Sequence, residues 1–148
     1  MAVYVNNKKA SHDYELLDTF EAGIVLTGNE VQSVRKGQGK LEGAHVIIRG
    51  GEAFLVSASI PSYQKANAPE DYEPEHPRKL LLSKKELIKL HGESEKNGLT
   101  IVPIQLYSNG RKIKLKIAVG RGKKKFDKRE AIKARDTKRD LDRSLRHQ

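Results

Sequence analysis

Cysteine is absent from the 148-residue chain, which excludes disulfides, thiol nucleophiles and thiolate metal sites. Tryptophan is absent too, and Tyr and Phe together bring aromatic content to only 5%. That is too few rings for a platform that stacks base after base along a single strand. No apolar run approaches the roughly 20 residues that a membrane span needs. Val3-Tyr4-Val5 followed by polar residues is not a secretory leader. Hydrophobic residues make up 36%, enough for one modest core. These shortages leave a basic, soluble, cytoplasmic single-domain protein as the expectation, a monomer with no membrane partner.

Positive charge is what the chain has in excess: 29 Lys and Arg against 19 Asp and Glu, a net +10. Its distribution matters more than its total. Residues 1–110 hold 13 cations and 14 acids, whereas residues 111–148 hold 16 cations and 5 acids. A near-neutral body with a strongly basic end is the footprint of a protein that docks on a polyanion. A charge run that serves only solubility is the plainer alternative, but cations at 16 of 38 positions far exceed their usual share.

The pattern along the chain predicts mainly β structure. The first dozen residues are polar and are expected to be mobile up to Tyr14. Ile24-Val25-Leu26 reads as the end of a strand, and Glu30 to Lys36 as a short helix stopped by Gly37 and Gly39. Gly50-Gly51 between Val46–Arg49 and Ala53–Val56 predicts a hairpin. Pro61 to Pro77 contains four prolines and reads as a long loop. Ser83 with Glu86 three residues on forms a capping box, followed by a helix with Leu87, Ile88 and Leu90 on its apolar face and Gly92 at its end. Leu99–Tyr107 and Arg111–Val119 flank Asn109-Gly110, a second hairpin. In its second arm Ile113, Leu115, Ile117 and Val119 share one face and Lys112, Lys114 and Lys116 the other. Several strands at short spacing with two helices suggest a small closed or partly closed barrel. From Gly120 the pattern changes. Asp127 starts a helix-prone segment with Arg135, Arg139 and Arg143 at intervals of four, yet its apolar residues are too sparse to pack.

Enzyme signatures are weak, and no catalytic, metal or cofactor residues are assigned. His12, His45, His76, His91 and His147 lack ligand spacing. Gly37, Gly39 and Gly43 lack the strand–helix unit of a dinucleotide site. Gly120-Arg121-Gly122-Lys123-Lys124 lacks the spacing and the Ser/Thr of a phosphate loop. Glu21 and Glu30 are an acid–base pair only if the fold brings them together. Binding signatures are stronger: a cationic strand face, a Gly-Lys segment and a basic tail all suit phosphates, and scarce aromatics favour a folded RNA's shape over stacking.

A series of words in order then carries a resemblance. These are Asn7-Lys8-Lys9-Ala10 with His12-Asp13-Tyr14, Glu21-Ala22-Gly23-Ile24, and Glu30-Val31-Gln32-Ser33-Val34-Arg35. They continue through Arg78-Lys79-Leu80-Leu81-Leu82 and Gly98-Leu99-Thr100-Ile101-Val102-Pro103 to Gly122-Lys123-Lys124-Lys125-Phe126-Asp127-Lys128-Arg129. Together they resemble the SsrA-binding protein (SmpB) family, bacterial partners of transfer-messenger RNA (tmRNA). The resemblance implies an OB-fold-type β-barrel with short flanking helices over residues 1–120. It also implies a basic tail, residues 121–148, that is disordered in the free protein. The function it implies is binding the tRNA-like domain of tmRNA and delivering it to stalled ribosomes in trans-translation. The barrel then replaces the anticodon half, and the tail folds as a helix in the empty mRNA channel against small-subunit rRNA.

Carried over position by position, the resemblance makes Asn7, Lys8, His12, Tyr14, Glu21, Leu81 and Lys114 candidates for the RNA-facing surface. For Glu21 and Tyr14 the competing role is support of the scaffold, and for Leu81 it is core packing. In the tail, Gly122, Lys123, Lys124, Asp127, Lys128 and Arg129 are the candidates for the ribosome and mRNA channel. His76 stands where the family often has Arg, Phe126 at an aromatic or His position, and Gln32 at a frequent Lys. A ribosomal protein or translation factor whose barrel binds rRNA is the alternative function.

Overall fold

The computed structural model describes residues 2–63 and 72–123. Their elements are β1 (Val3–Asn6), α1 (Ala10–Asp13), β2 (Tyr14–Ile24), α2 (Gly28–Arg35), β3 (His45–Arg49), β4 (Glu52–Val56), β5 (Arg78–Leu81), α3 (Lys84–Ser94), β6 (Leu99–Asn109) and β7 (Lys112–Gly122).

All pairings between these strands are antiparallel, in the order β1-β6-β3-β4-β5-β2-β7, and β7 pairs back onto β6. The second pairing closes the sheet into a barrel. One edge of β6 runs along β7 throughout, while its other edge is divided. Ile101 pairs with Val46 of β3, and Gln105 to Tyr107 pair with β1. Alternation fills the interior. Ile113, Leu115, Ile117 and Val119 of β7 meet Leu55, Leu80, Ile101 and Leu106 in one cluster, which Val34 of α2 and Leu90 of α3 join. The mainly β barrel with short helices is therefore as the sequence predicts.

Local chemistry sets the element ends. Thr27 and Ser83 each accept a hydrogen bond from the backbone N–H three residues on, and Glu30 and Glu86 return the bond to the cap N–H. Gly50 and Gly51 have φ of 59° and 75°, the left-handed pair that a type I′ hairpin turn needs.

Four expectations need correction. The first dozen residues are not loose: Val3, Val5 and Asn6 pair with β6 and Ala10–Asp13 is helical. Only an alternation of three residues marked that strand, and an edge of β6 elsewhere in the chain supplies its pairing. The second hairpin turns at Gly110-Arg111, since Asn109 pairs with Lys112, and Gly110 takes φ 66° as the first central residue of a type II′ turn must. The third helix continues through Gly92 to Ser94, and its Ile88 is 65% exposed. Finally, β7 runs past Gly120: Arg121 and Gly122 pair with Glu15 and Tyr14, so those two residues belong to the barrel wall.

Candidate nucleic-acid interface

A bulge decides which side chains share the outer face of β2 and β7. Leu16 pairs with Gly120 but Thr19 pairs with Ala118, so β2 carries one extra residue there and its in–out phase switches. Tyr14 and Leu16 before the bulge, and Thr19, Glu21 and Gly23 after it, consequently lie on one surface. Opposite them, β7 presents Gly122, Gly120, Ala118, Lys116 and Lys114 in register. Among the described residues, no carboxylate lies within ion-pair distance of Lys112, Lys114 or Lys116. These ammonium groups are available to phosphates.

The candidates fall into two clusters at opposite ends of β2. At its start, the Tyr14 ring lies on Gly120. A Cβ built on that glycine would stand 3.0–3.2 Å from Tyr14 Cβ, Cγ and Cδ1. Lys8, in the turn after β1, and His12, in α1, are exposed ahead of it in the chain. Lys123 is tied down, its N–H donating to Asp13 O at 2.7 Å and its Nζ to Ser11 O at 3.4 Å. Asn7 points inward. Its Nδ2 donates to Pro103 O at 2.9 Å and Leu41 O at 3.3 Å, and its Oδ1 is buried without a partner. Asn7 thus fixes the turn that carries Lys8.

Toward the end of β2, Glu21 receives a hydrogen bond from Asn109 Nδ2 at 3.1 Å. That bond, the Tyr107 hydroxyl and the Lys114 charge together hold its carboxylate below the usual range. Burial, with the Glu21 charge and hydrogen bond adding to it, pushes Tyr107 up to about 12. Leu81 is 54% exposed, which answers the question left open by the Leu triplet: Leu80 goes into the core and Leu81 does not. Gly23 makes room for Leu81, whose Cβ would stand 3.0 Å from a Cβ placed on that glycine. Leu81 and Lys114 line one groove of about 320 Å³ together with Val31, Arg111 and Lys112. The alternation of lysines along β7 points to Lys112 and Lys116, whereas no signal in the sequence singles out Arg111.

Glu30 does not meet Glu21 as an acid–base partner. It is 1% exposed and its Oε2 is shared by Arg78 Nε at 2.8 Å, Arg78 Nη2 at 2.6 Å, His76 Nε2 at 2.8 Å and the Tyr72 hydroxyl at 3.2 Å. Arg78, equally buried, also donates to Ala58 O, His76 O and Pro74 O. This knot ties the end of the 61–77 loop to α2 and β5. His76, at the position where Arg is frequent, keeps a contact to the carboxylate. Among the described residues no group of three His, Asp or Glu is placed to hold a metal, and no helix is long and apolar enough to cross a membrane. Lys124, Asp127, Lys128 and Arg129, and the expectation of a tail disordered when free, lie outside the described residues.

Comparison with known proteins identifies relatives over nearly the whole chain. The family model "SmpB protein" matches residues 4–147. The SsrA-binding protein of Exiguobacterium sibiricum is 49% identical over 144 residues, covering 97% of this chain and 92% of that one. The SsrA-binding protein of Roseiflexus sp. is 45% identical, with 97% and 91% covered. Among solved structures, a chain described under "tmRNA-SmpB: a journey to the center of the bacterial ribosome" superposes with a TM-score of 0.68 at 42% identity. It covers 80% of this chain and 83% of its own length.

Proposed function

Because the chain belongs to the SmpB protein family, we propose that it binds the tRNA-like domain of tmRNA and carries it to stalled ribosomes in trans-translation. The observation that carries this reading is the outer face of β2 and β7, where unpaired lysines stand in register with an ionised glutamate, flanked by the exposed Leu81 of β5, which pairs with Gly23 of β2. Lys8, Lys114 and Lys116 neutralise phosphates and so set the strength of binding. Leu81 offers an apolar surface to a base or sugar turned out of its stack, and the Glu21 carboxylate accepts from base amino groups. A folded RNA that presents two phosphate ridges fits two clusters separated along one strand.

The barrel occupies the place of the anticodon half, and residues 124–148, with ten Lys and Arg against five acids, enter the empty mRNA channel against small-subunit rRNA. Sequencing the RNA that copurifies with the protein tests the reading. A dominant tmRNA species is expected. Stoichiometric rRNA in cells that lack tmRNA would instead make the protein a ribosomal component.

A further inference from the structure

Where β7 ends, the barrel wall loses its side chains. Gly122 N–H donates to Gly98 O at 3.3 Å, and Gly43 lies ahead of β3. Gly43 and Gly98 both have φ near 80° and open space where a Cβ would stand. The three glycines form part of the wall of a cleft of about 720 Å³ whose side chains come from Asp13, Tyr14, His45, Leu99, Thr100 and Lys123. That volume falls in the range of about 300–1,000 Å³ usual for small-molecule sites. It lies apart from the groove of Leu81 and Lys114.

We propose that this cleft, which extends the Tyr14 and Lys123 cluster past the end of β7, is an RNA subsite that takes one unstacked nucleotide of a single-stranded segment. The inference rests on the RNA-binding reading above and adds a second, chemically different contact. Tyr14 and His45 supply ring faces, the Thr100 hydroxyl and the open glycine peptides supply hydrogen bonds to a base edge, and Lys123 meets the adjoining phosphate. The charge of the chain supports RNA over a free metabolite. Lys123 on the cleft wall is followed in sequence by the ten cations of 124–148, a charge density that draws polyanions rather than a neutral metabolite.

The test uses the full-length, ¹⁵N-labelled protein titrated with pentauridylate and pentaadenylate, following backbone amide shifts. Shifts at His45, Gly98 and Thr100 are expected with at least one of the two. His45→Ala removes a ring face and Thr100→Trp fills the cleft, and each should weaken pentanucleotide binding about fivefold or more. Amide spectra of the two variants that keep the parent's dispersion outside the cleft separate loss of the cleft from damage to β6. Shifts confined to Lys112, Lys114 and Lys116 overturn the proposal. So do shifts at His45 and Thr100 when residues 124–148 are deleted from the RNA-free protein, because the occupant is then the chain itself. The parent's affinity for tmRNA is measured alongside. If it is intact while the cleft amides stay still, only the subsite falls; if it is absent, the RNA-binding reading falls with it.

Discussion

Glu30 collects donors from three parts of the chain, and the fate of Arg78 depends on it. Glu30→Ala leaves a guanidinium that is 1% exposed without its counter-charge, a change that typically costs about 3–5 kcal/mol. Urea unfolding should show that loss, and Glu30→Gln, which keeps acceptor and shape, should lose less. Burial alone would raise the Glu30 pKa, but the Thr27 N–H, Arg78 and His76 outweigh it and the value is lowered below 4.5. A lowered carboxylate stabilises the fold above its unfolded pKa and ceases to do so as pH falls through the folded one. The stability gap between the parent and Glu30→Gln should therefore be constant above about pH 5 and shrink at lower pH. Tyr107 has the opposite sign. Its folded pKa is raised to about 12, so its contribution is present below the ordinary tyrosine value and lost as pH rises through 12. Ultraviolet titration of the phenols should show late ionisation at both Tyr107 and Tyr72, each raised first by burial, and Glu21→Gln should bring the Tyr107 step to lower pH. If the Tyr107 step stays in place, Glu21 does not act on it.

At the scale of elements, the Ser83 cap and the first hairpin's turn are legible because their chemistry is local. The second turn sits one residue past the Asn-Gly pair, and the Thr27–Glu30 box is seen only in the structure. Ser83 with Glu86 is a box within four residues, and Gly50-Gly51 names its own turn type. Thr27→Ala and Ser83→Ala should each cost about 1 kcal/mol by chemical denaturation. What the sequence did not reveal depends on residues far apart. The β2 bulge leaves no signature in Leu16 to Thr19, yet it decides that Tyr14 and Glu21 share a face. The edge of β6 that β1 occupies is about 100 positions away. The Glu30–Arg78 knot spans 48. Of the candidate RNA surface, the lysine stripe was readable from alternation, whereas the exposure of Leu81 and the inward turn of Asn7 follow from packing alone. Gly120 joins two elements in a testable way. A methyl there stands 3.0–3.2 Å from the Tyr14 side chain, so Gly120→Ala should displace the ring and weaken tmRNA binding. Combined with Tyr14→Ala it should add little, because the two changes remove one feature. Additive losses in a gel-shift titration would separate the two residues.

For the molecule as a whole, the division of charge makes salt and truncation the informative variables. Log affinity for tmRNA should fall linearly with log salt, at about 0.9 per phosphate contact for duplex DNA and less in other geometries. Lys8→Ala and Lys114→Ala should each flatten the slope by less than about one. A cut after Val119 looks attractive from the apolar pattern, but it would remove Gly120, Arg121 and Gly122, which pair with Leu16, Glu15 and Tyr14. It would also remove Lys123, whose N–H caps the exit of the chain on Asp13 O. The cut that separates the two jobs is therefore after Lys123. Such a protein should melt cooperatively near the parent's temperature, because every described strand is intact. Its affinity for isolated tmRNA should drop little, since the lysine face and both β2 clusters remain. Peptide tagging on stalled ribosomes should collapse, because ten cations and the segment proposed for the mRNA channel are gone. Tagging at the full rate by this protein would show that the barrel alone recognises the stalled state, and the role proposed for residues 124–148 would have to be abandoned.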